Sequence, residues 1–181
     1  MRIPRSTLVD QALIFATEAH HGQFRKYTGE PYISHPIAVA NMVGKFGGDS
    51  AMVAAALLHD TIEDCGVTRE AIEAMFGEVV ADLVVELTDV SRPEDGNRAA
   101  RKALDLAHTA KASAAAKTIK ALDLADNTSS IVAHDRKFAK VYLAEKARVL
   151  GVLENASHPE AVRFARRVHS TATALMGRQK P

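Results

Sequence analysis

An unbroken apolar run, residues 52–58, leads straight into His59-Asp60-Thr61-Ile62-Glu63-Asp64. A helical segment that is apolar on every side must be wrapped by other elements, so this run predicts a central helix inside a helical protein. Side chains four apart on a helix share a face. If the helix continues through the motif, Glu63 lies over His59 and Asp64 over Asp60. Carboxylates placed against such a helix are costly unless something pairs with them, and a metal ion is the economical partner. The same six residues then offer both metal ligands and acid/base groups.

Caps and chain breakers divide the remainder into helices. Ser6 is the expected cap of a first helix carrying Leu8, Ala12, Phe15 and Ala19 and ending near Gly22. A loop over 23–34 follows. Pro36 suits the first position of a second helix, with His35 just before it and a stop at Gly47-Gly48. Asp49 caps the third helix, which contains the motif and ends by Gly66; Thr68 starts a fourth, to Phe76-Gly77. Further helices are expected over 79–90, 98–111, 114–134, 139–155 and 159–176, with a loop at 91–97. No alternating strand pattern and no internal repeat appears. The prediction is an all-α fold, one domain over residues 1–181. A net charge of +1 excludes bulk attraction to nucleic acid. No segment reaches membrane-spanning length, and Cys65, the only cysteine, rules out a disulfide within the chain. These features suit a cytoplasmic protein.

Completing a metal site needs more ligands. His20, His21, His108, His134, His158 and His169 stand in polar or helix-end settings and read as solvated histidines. His35 opens a helix and is either a capping or core residue or a second imidazole ligand. A further carboxylate is expected from 119–127, where Asp123 is flanked by Leu122 and Leu124 and shares a face with Asn127, while Asp126 is offset. Two imidazoles and two carboxylates, with water, suit a divalent ion such as Mn²⁺ rather than a cysteine-type zinc site; the spacing does not choose among Mn, Fe, Co, Ni and Zn. Glu63 and Asp64 supply a base and an acid for water activation, in either order. A polyanionic substrate would need cations, available as Arg25, Lys26, Arg101, Lys102, Lys117 and Lys120. Taken singly, each reads as part of a solvated face.

His35, His59-Asp60 and Asp123 together resemble the signature of HD-domain metal-dependent phosphohydrolases. More narrowly, residues 22–36 (Gly-Gln-Phe-Arg-Lys-Tyr-Thr-Gly-Glu-Pro-Tyr-Ile-Ser-His-Pro), 55–64 and Phe76-Gly77 are similar to the hydrolase region of RelA/SpoT proteins. The resemblance runs from about residue 7 to about 155, leaving a C-terminal helix and tail over 156–181. It implies a single helical HD bundle, a stand-alone small alarmone hydrolase similar also to the animal type. The implied reaction is Mn²⁺-dependent removal of the 3′-pyrophosphate from (p)ppGpp, the nucleotide of the stringent response, with other divalent metals possible. It implies His35, His59, Asp60 and Asp123 as metal ligands and Glu63-Asp64 as the water-activating pair. It places Arg25 and Lys26 near the nucleotide and Lys102 at its phosphates, with Asn127 at the base and ribose and Ser130 near the base. Leu124 departs from the family, which carries a basic residue there, and Asp126 stands where His or Tyr is common; both point to an altered wall around the base. Alternative substrates are (p)ppApp or another phosphorylated nucleotide such as NADPH; an inactive nucleotide-binding or metal-sensing module is the third reading. The expected partner is a small-molecule nucleotide, with no nucleic acid and no membrane.

Overall fold

The computed structural model describes residues 7–178. Every regular element among them is helical, apart from an isolated antiparallel bridge between Phe24 and Pro31. The all-α expectation holds. The chain divides into two compact units, one ending at Thr88 and the other beginning at Asp89.

In the first unit, α1 (Leu8–Ala19) starts at Thr7, whose hydroxyl accepts from the Asp10 N–H while Asp10 accepts from the Thr7 N–H at 3.0 Å. This reciprocal box makes Thr7 the cap; Ser6, the expected cap, lies outside the described residues. Helix α2 (Ser34–Lys45) begins earlier than predicted, so His35 stands inside its first turn rather than before it. Pro36 is still tolerated there, because first-turn N–H groups have no intrahelical acceptor. Between α2 and α3 (Ser50–Leu58) the chain passes close to itself: a Cβ on Gly48 would collide with Val43. Asp49 caps α3 as expected, accepting from the Met52 N–H at 2.9 Å. Helix α3 buries Met52 and residues 54–58, and α1 and α2 pack against it.

The motif does not continue this helix. Helix α3 ends at Leu58, Asp60 adopts φ −95° and ψ −4°, and a separate α4 (Thr61–Cys65) follows. The cause is local. His59 Nδ1 lies 2.8 Å from the Ala56 carbonyl, and the Thr61 hydroxyl donates to the Leu58 carbonyl at 2.7 Å. Side chains thus take two carbonyls left over at the helix end, and the chain turns. His59 is buried, whereas Glu63 and Asp64 are exposed; the expected greasy face bearing all four groups is not formed. Helices α5 (Arg69–Phe76) and α6 (Glu78–Leu87) complete the unit, α6 also packing on α3. Extended backbone at Thr88 ends α6 before the predicted residue 90.

The second unit holds a short 3-10 turn (Pro93–Asp95), α7 (Arg98–Lys111), α8 (Ala114–His134), α9 (Arg136–Gly151) and α10 (Pro159–Gly177). Helix α9 starts three residues earlier than predicted because Asp135 accepts from the Phe138 N–H at 3.0 Å. Ala121, Leu124, Ala125, Leu150, Leu153, Val162 and Ala165 form a core joining α8, α9 and α10. Leu124, read from sequence as part of an altered nucleotide wall, is 2% exposed within that core. Its departure from the family therefore concerns packing. Two further expectations fail: His20 is 3% exposed and the Lys117 side chain 8% exposed, so neither is a solvated surface group. No helix among the described residues is long and apolar enough to cross a membrane.

Restoring a basic residue at position 124 tests its placement. Leu124→Lys should lower unfolding stability by about 4 kcal/mol in urea titration, because the ammonium would be buried without a partner. A cost below about 1 kcal/mol would place residue 124 at a surface instead.

Candidate metal centre

Three sequence-predicted ligands come together in the first unit. His59 Nε2 and His35 Nε2 lie 3.2 Å and 3.7 Å from the same oxygen, Asp60 Oδ2. Both rings are buried, with centroids 5.1 Å apart, and Asp60 is 19% exposed. The two histidines each offer a ring nitrogen within 4.8 Å of the other.

The hydrogen bonding around these groups fits a cation. The Ala56 carbonyl beside His59 Nδ1 is an acceptor, so Nδ1 carries a proton, and Nε2 is the ring nitrogen turned toward Asp60. Nε2 and a carboxylate oxygen 3.2 Å apart are held together by a shared positive charge, whether a proton or a metal ion. The Tyr32 hydroxyl donates to Asp60 Oδ2 at 2.8 Å, supplying the kind of outer contact that orients a ligating carboxylate. Although Asp64 is exposed as a residue, partial covering of its carboxyl, and then the charge of Asp60, push that carboxyl above its ordinary range, while the Tyr32 hydroxyl works against the rise. In α4, Glu63 and Asp64 stand one turn beyond Asp60, with the Asp64 N–H donating to the Asp60 carbonyl at 2.8 Å.

On the same unit's loop, Arg25 is held by its backbone, its N–H donating to the Glu30 carbonyl at 2.8 Å. Lys26 is exposed, with its ammonium 5.0 Å from the Tyr27 ring centroid.

The second unit holds the remaining predicted residues. Asp123 is 6% exposed on α8, and Asn127 Nδ2 donates to its Oδ1 at 2.6 Å. The four-residue spacing seen in the sequence therefore becomes a contact, but one that holds the carboxylate itself. Lys120, read as a solvated cation, is 15% exposed and lies 3.4 Å from the other carboxylate oxygen. Lys102 donates to Asp89 at 2.7 Å and to Asp105 at 3.0 Å. Burial pulls its ammonium down, but the hydrogen bonds and charges of Asp89 and Asp105 together outweigh burial and hold it above its ordinary range. Ser130 is half-buried, and its carbonyl lies 2.8 Å from His134 Nδ1; Asp126 is half-buried on the same helix.

The sequence reading passed over Lys146 and Tyr142. The Lys146 ammonium lies 5.5 Å from the buried Tyr142 ring. Burial, then the neighbouring Lys120, depress its ionisation. The available signal was the i,i+4 spacing of Tyr142 and Lys146 and the i,i+3 spacing of Lys120 and Asp123.

Comparison with known proteins adds the following. The model of the HD domain matches residues 12–179. A probable guanosine-3′,5′-bis(diphosphate) 3′-pyrophosphohydrolase of Synechocystis is 49% identical over 85 residues, covering 47% of this chain and 11% of that protein. The chain thus spans about a tenth of the length of the large relatives it matches (11% in that case). The guanosine-3′,5′-bis(diphosphate) 3′-pyrophosphohydrolase MESH1 of Xenopus tropicalis is 40% identical over 121 residues, covering 65% of this chain and 66% of that protein. A solved structure, described as a metazoan ortholog of SpoT that hydrolyzes ppGpp and plays a role in starvation responses, superimposes with a TM-score of 0.80. Its identity is 27%, over 94% of this chain and 98% of the other.

A divalent ion that binds the folded protein must raise its melting temperature by mass action. Titration with Mn²⁺ should therefore raise the midpoint of the wild-type protein, and His59→Ala should remove that rise. An unchanged midpoint across millimolar Mn²⁺ would exclude the centre.

Proposed function

The chain belongs to the HD-domain family, a family that implies a divalent metal, and from that premise we propose that it removes the 3′-pyrophosphate of (p)ppGpp, releasing GDP or GTP and pyrophosphate. The observation that carries the proposal is the convergence of the buried His59 and His35 ring nitrogens on one Asp60 oxygen, at 3.2 Å and 3.7 Å. The names of the relatives supply the substrate class. The family match runs through both units, which supports one hydrolase domain. His35, His59 and Asp60 of the first unit and Asp123 of the second would hold the ion. Mn²⁺ is the proposed metal on the resemblance to RelA/SpoT hydrolases, and mixed imidazole and carboxylate donors accept it among other divalent ions. When bound, such an ion lowers the pKa of water and stabilises charge on phosphoryl oxygens.

The remaining work falls to side chains. Glu63 and Asp64 emerge into solvent one turn past Asp60, where a carboxylate could take a proton from the attacking water. The other carboxyl of the pair would hand a proton to the leaving group. Arg25 and Lys26 would meet the negative charge of the nucleotide. Asn127 would act on Asp123, as its 2.6 Å contact supports, with Ser130 further along α8 near the base and ribose. Lys102 would reach a phosphate through the donor left over from Asp89 and Asp105. A cytoplasmic setting is proposed with this activity, since the lone Cys65 needs no oxidising compartment.

The test is parallel incubation with ppGpp, ppApp and NADPH, each with Mn²⁺ or EDTA, scoring pyrophosphate against phosphate. Pyrophosphate from ppGpp, lost in EDTA, is the expected result. Release from ppApp or NADPH alone would move the substrate assignment, and no release from any would overturn it. Glu63→Gln should keep Mn²⁺ binding and lower kcat about a hundredfold or more; loss of Mn²⁺ instead would make Glu63 a ligand.

A further inference from the structure

His20 is a buried imidazole in a place where a phenylalanine would fill space without the cost of desolvating a polar ring. It ends α1 as the C-cap residue, 3% exposed. The next residues reverse the chain through Gly22, whose φ of +80° favours glycine, and so bring Gln23 back beside it. The Gln23 amide is oriented from both ends. Its Nε2 donates to the Asp64 carbonyl at 3.2 Å, and a carbonyl only accepts, so Oε1 faces His20 Nδ1 at 2.7 Å. His20 Nδ1 therefore carries a proton and donates it to Gln23. Cys65 Sγ, 3.3 Å from the same nitrogen, is a soft secondary acceptor.

The ring of His20 also stacks on Tyr32, centroids 4.8 Å apart and planes tilted by 30°. The Tyr32 hydroxyl is the donor to Asp60, and the Tyr32 backbone N–H donates to the Gln23 carbonyl at 2.9 Å. Two lines of contact thus leave one imidazole. One runs through the Gln23 amide to the backbone of Asp64; the other runs through the Tyr32 ring to the carboxylate of Asp60.

We infer that His20 and Gln23 are positioning residues that align the water-activating pair, through the Asp64 backbone, with the Asp60 ligand, through Tyr32. The inference rests on the hydrolase reading above for the role of Asp64, but its Asp60 half needs metal binding alone. The imidazole has two separable duties, a donor at Nδ1 and a face against Tyr32. Phenylalanine keeps the face and loses the donor, while asparagine keeps a donor near the Nδ1 position and loses the face.

The experiment measures Mn²⁺ affinity by calorimetry, kcat and KM for ppGpp at saturating Mn²⁺, and melting temperature, for His20→Phe, His20→Asn and Gln23→Glu. Contacts of this outer kind are worth about tenfold or more when removed. His20→Phe should lower kcat about tenfold with KM and Mn²⁺ affinity within about twofold, and Gln23→Glu, which loses the donor to Asp64, should match it. His20→Asn should weaken Mn²⁺ binding about tenfold while holding kcat within about threefold. Parallel losses of kcat and Mn²⁺ affinity that track melting temperature in all three variants would overturn the inference, as would no change in either quantity. If the wild-type protein releases nothing from ppGpp, the hydrolase reading fails. The order of Mn²⁺ affinities, Phe above Asn, then still decides the Asp60 half, and equal affinities would overturn it.

Discussion

The structure of the first unit depends on how a buried apolar helix is brought to an end. The last carbonyls of any helix lack intrahelical donors, and at the end of α3 they cannot reach solvent cheaply, because residues 54–58 are buried. His59 and Thr61 meet two of them, Ala56 and Leu58, with side-chain donors. That capping has chemical consequences. It places a proton on His59 Nδ1 and turns Nε2 toward Asp60. It also sets Asp60 in a turn conformation beside that nitrogen. The new helix α4 then carries Glu63 and Asp64 away from the core into solvent, where an acid or base can exchange protons. A continuous helix would have held the same four side chains in a row, half of them against apolar neighbours.

What was legible in the sequence follows local signals. Helices α7 and α8 run over the predicted residues because Asn97 and Ser113 cap them, accepting from the N–H of Ala100 and Ala116, and because good helix formers follow each cap. His35, His59 and Asp123 stood out in the sequence because histidines and carboxylates beside apolar runs are costly without a partner, and all three are buried. The break after His59 was not legible: its residues satisfy a helical period, and the deciding hydrogen bonds run from side chains to carbonyls, which leave no periodic trace. His20 was misread for a different reason. Its neighbours His21 and Gly22 are exposed, and its burial comes from a loop over 23–32 that folds back through the Phe24–Pro31 bridge. Leu124 was misplaced because a resemblance gives the position of a residue, not the direction in which its side chain points.

Helix α8 shows how a single helix can carry a buried carboxylate. Asp123 stands between Leu122 and Leu124, both buried, and an isolated carboxylate there would be costly. Lys120 three residues before it and Asn127 four residues after it share its face, and each engages a different oxygen. Charge and orientation are therefore supplied by the same helix that creates the burial. A carboxylate held in this way loses little further freedom on taking up a cation, which is the condition a metal ligand should meet.

The same unit also gathers charges of both signs in a small space. One cleft there is lined by four cations, Lys102, Lys120, Lys146 and Arg148, and by three anions, Asp89, Asp105 and Glu145. Arg98 already grips Glu145 through two contacts, at 2.7 and 2.8 Å. With Lys102 shared between two carboxylates, its charge is locally outweighed, but an ammonium has three donors and its direction is fixed. Such a lysine is a poor long-range attractor and a good short-range reader, consistent with a net charge of +1 for the whole chain. Bringing a phosphate against it would set the phosphate against Asp89 and Asp105 unless other cations compensated. Lys146, whose charged form is disfavoured by burial and by Lys120, gains from any anion placed nearby.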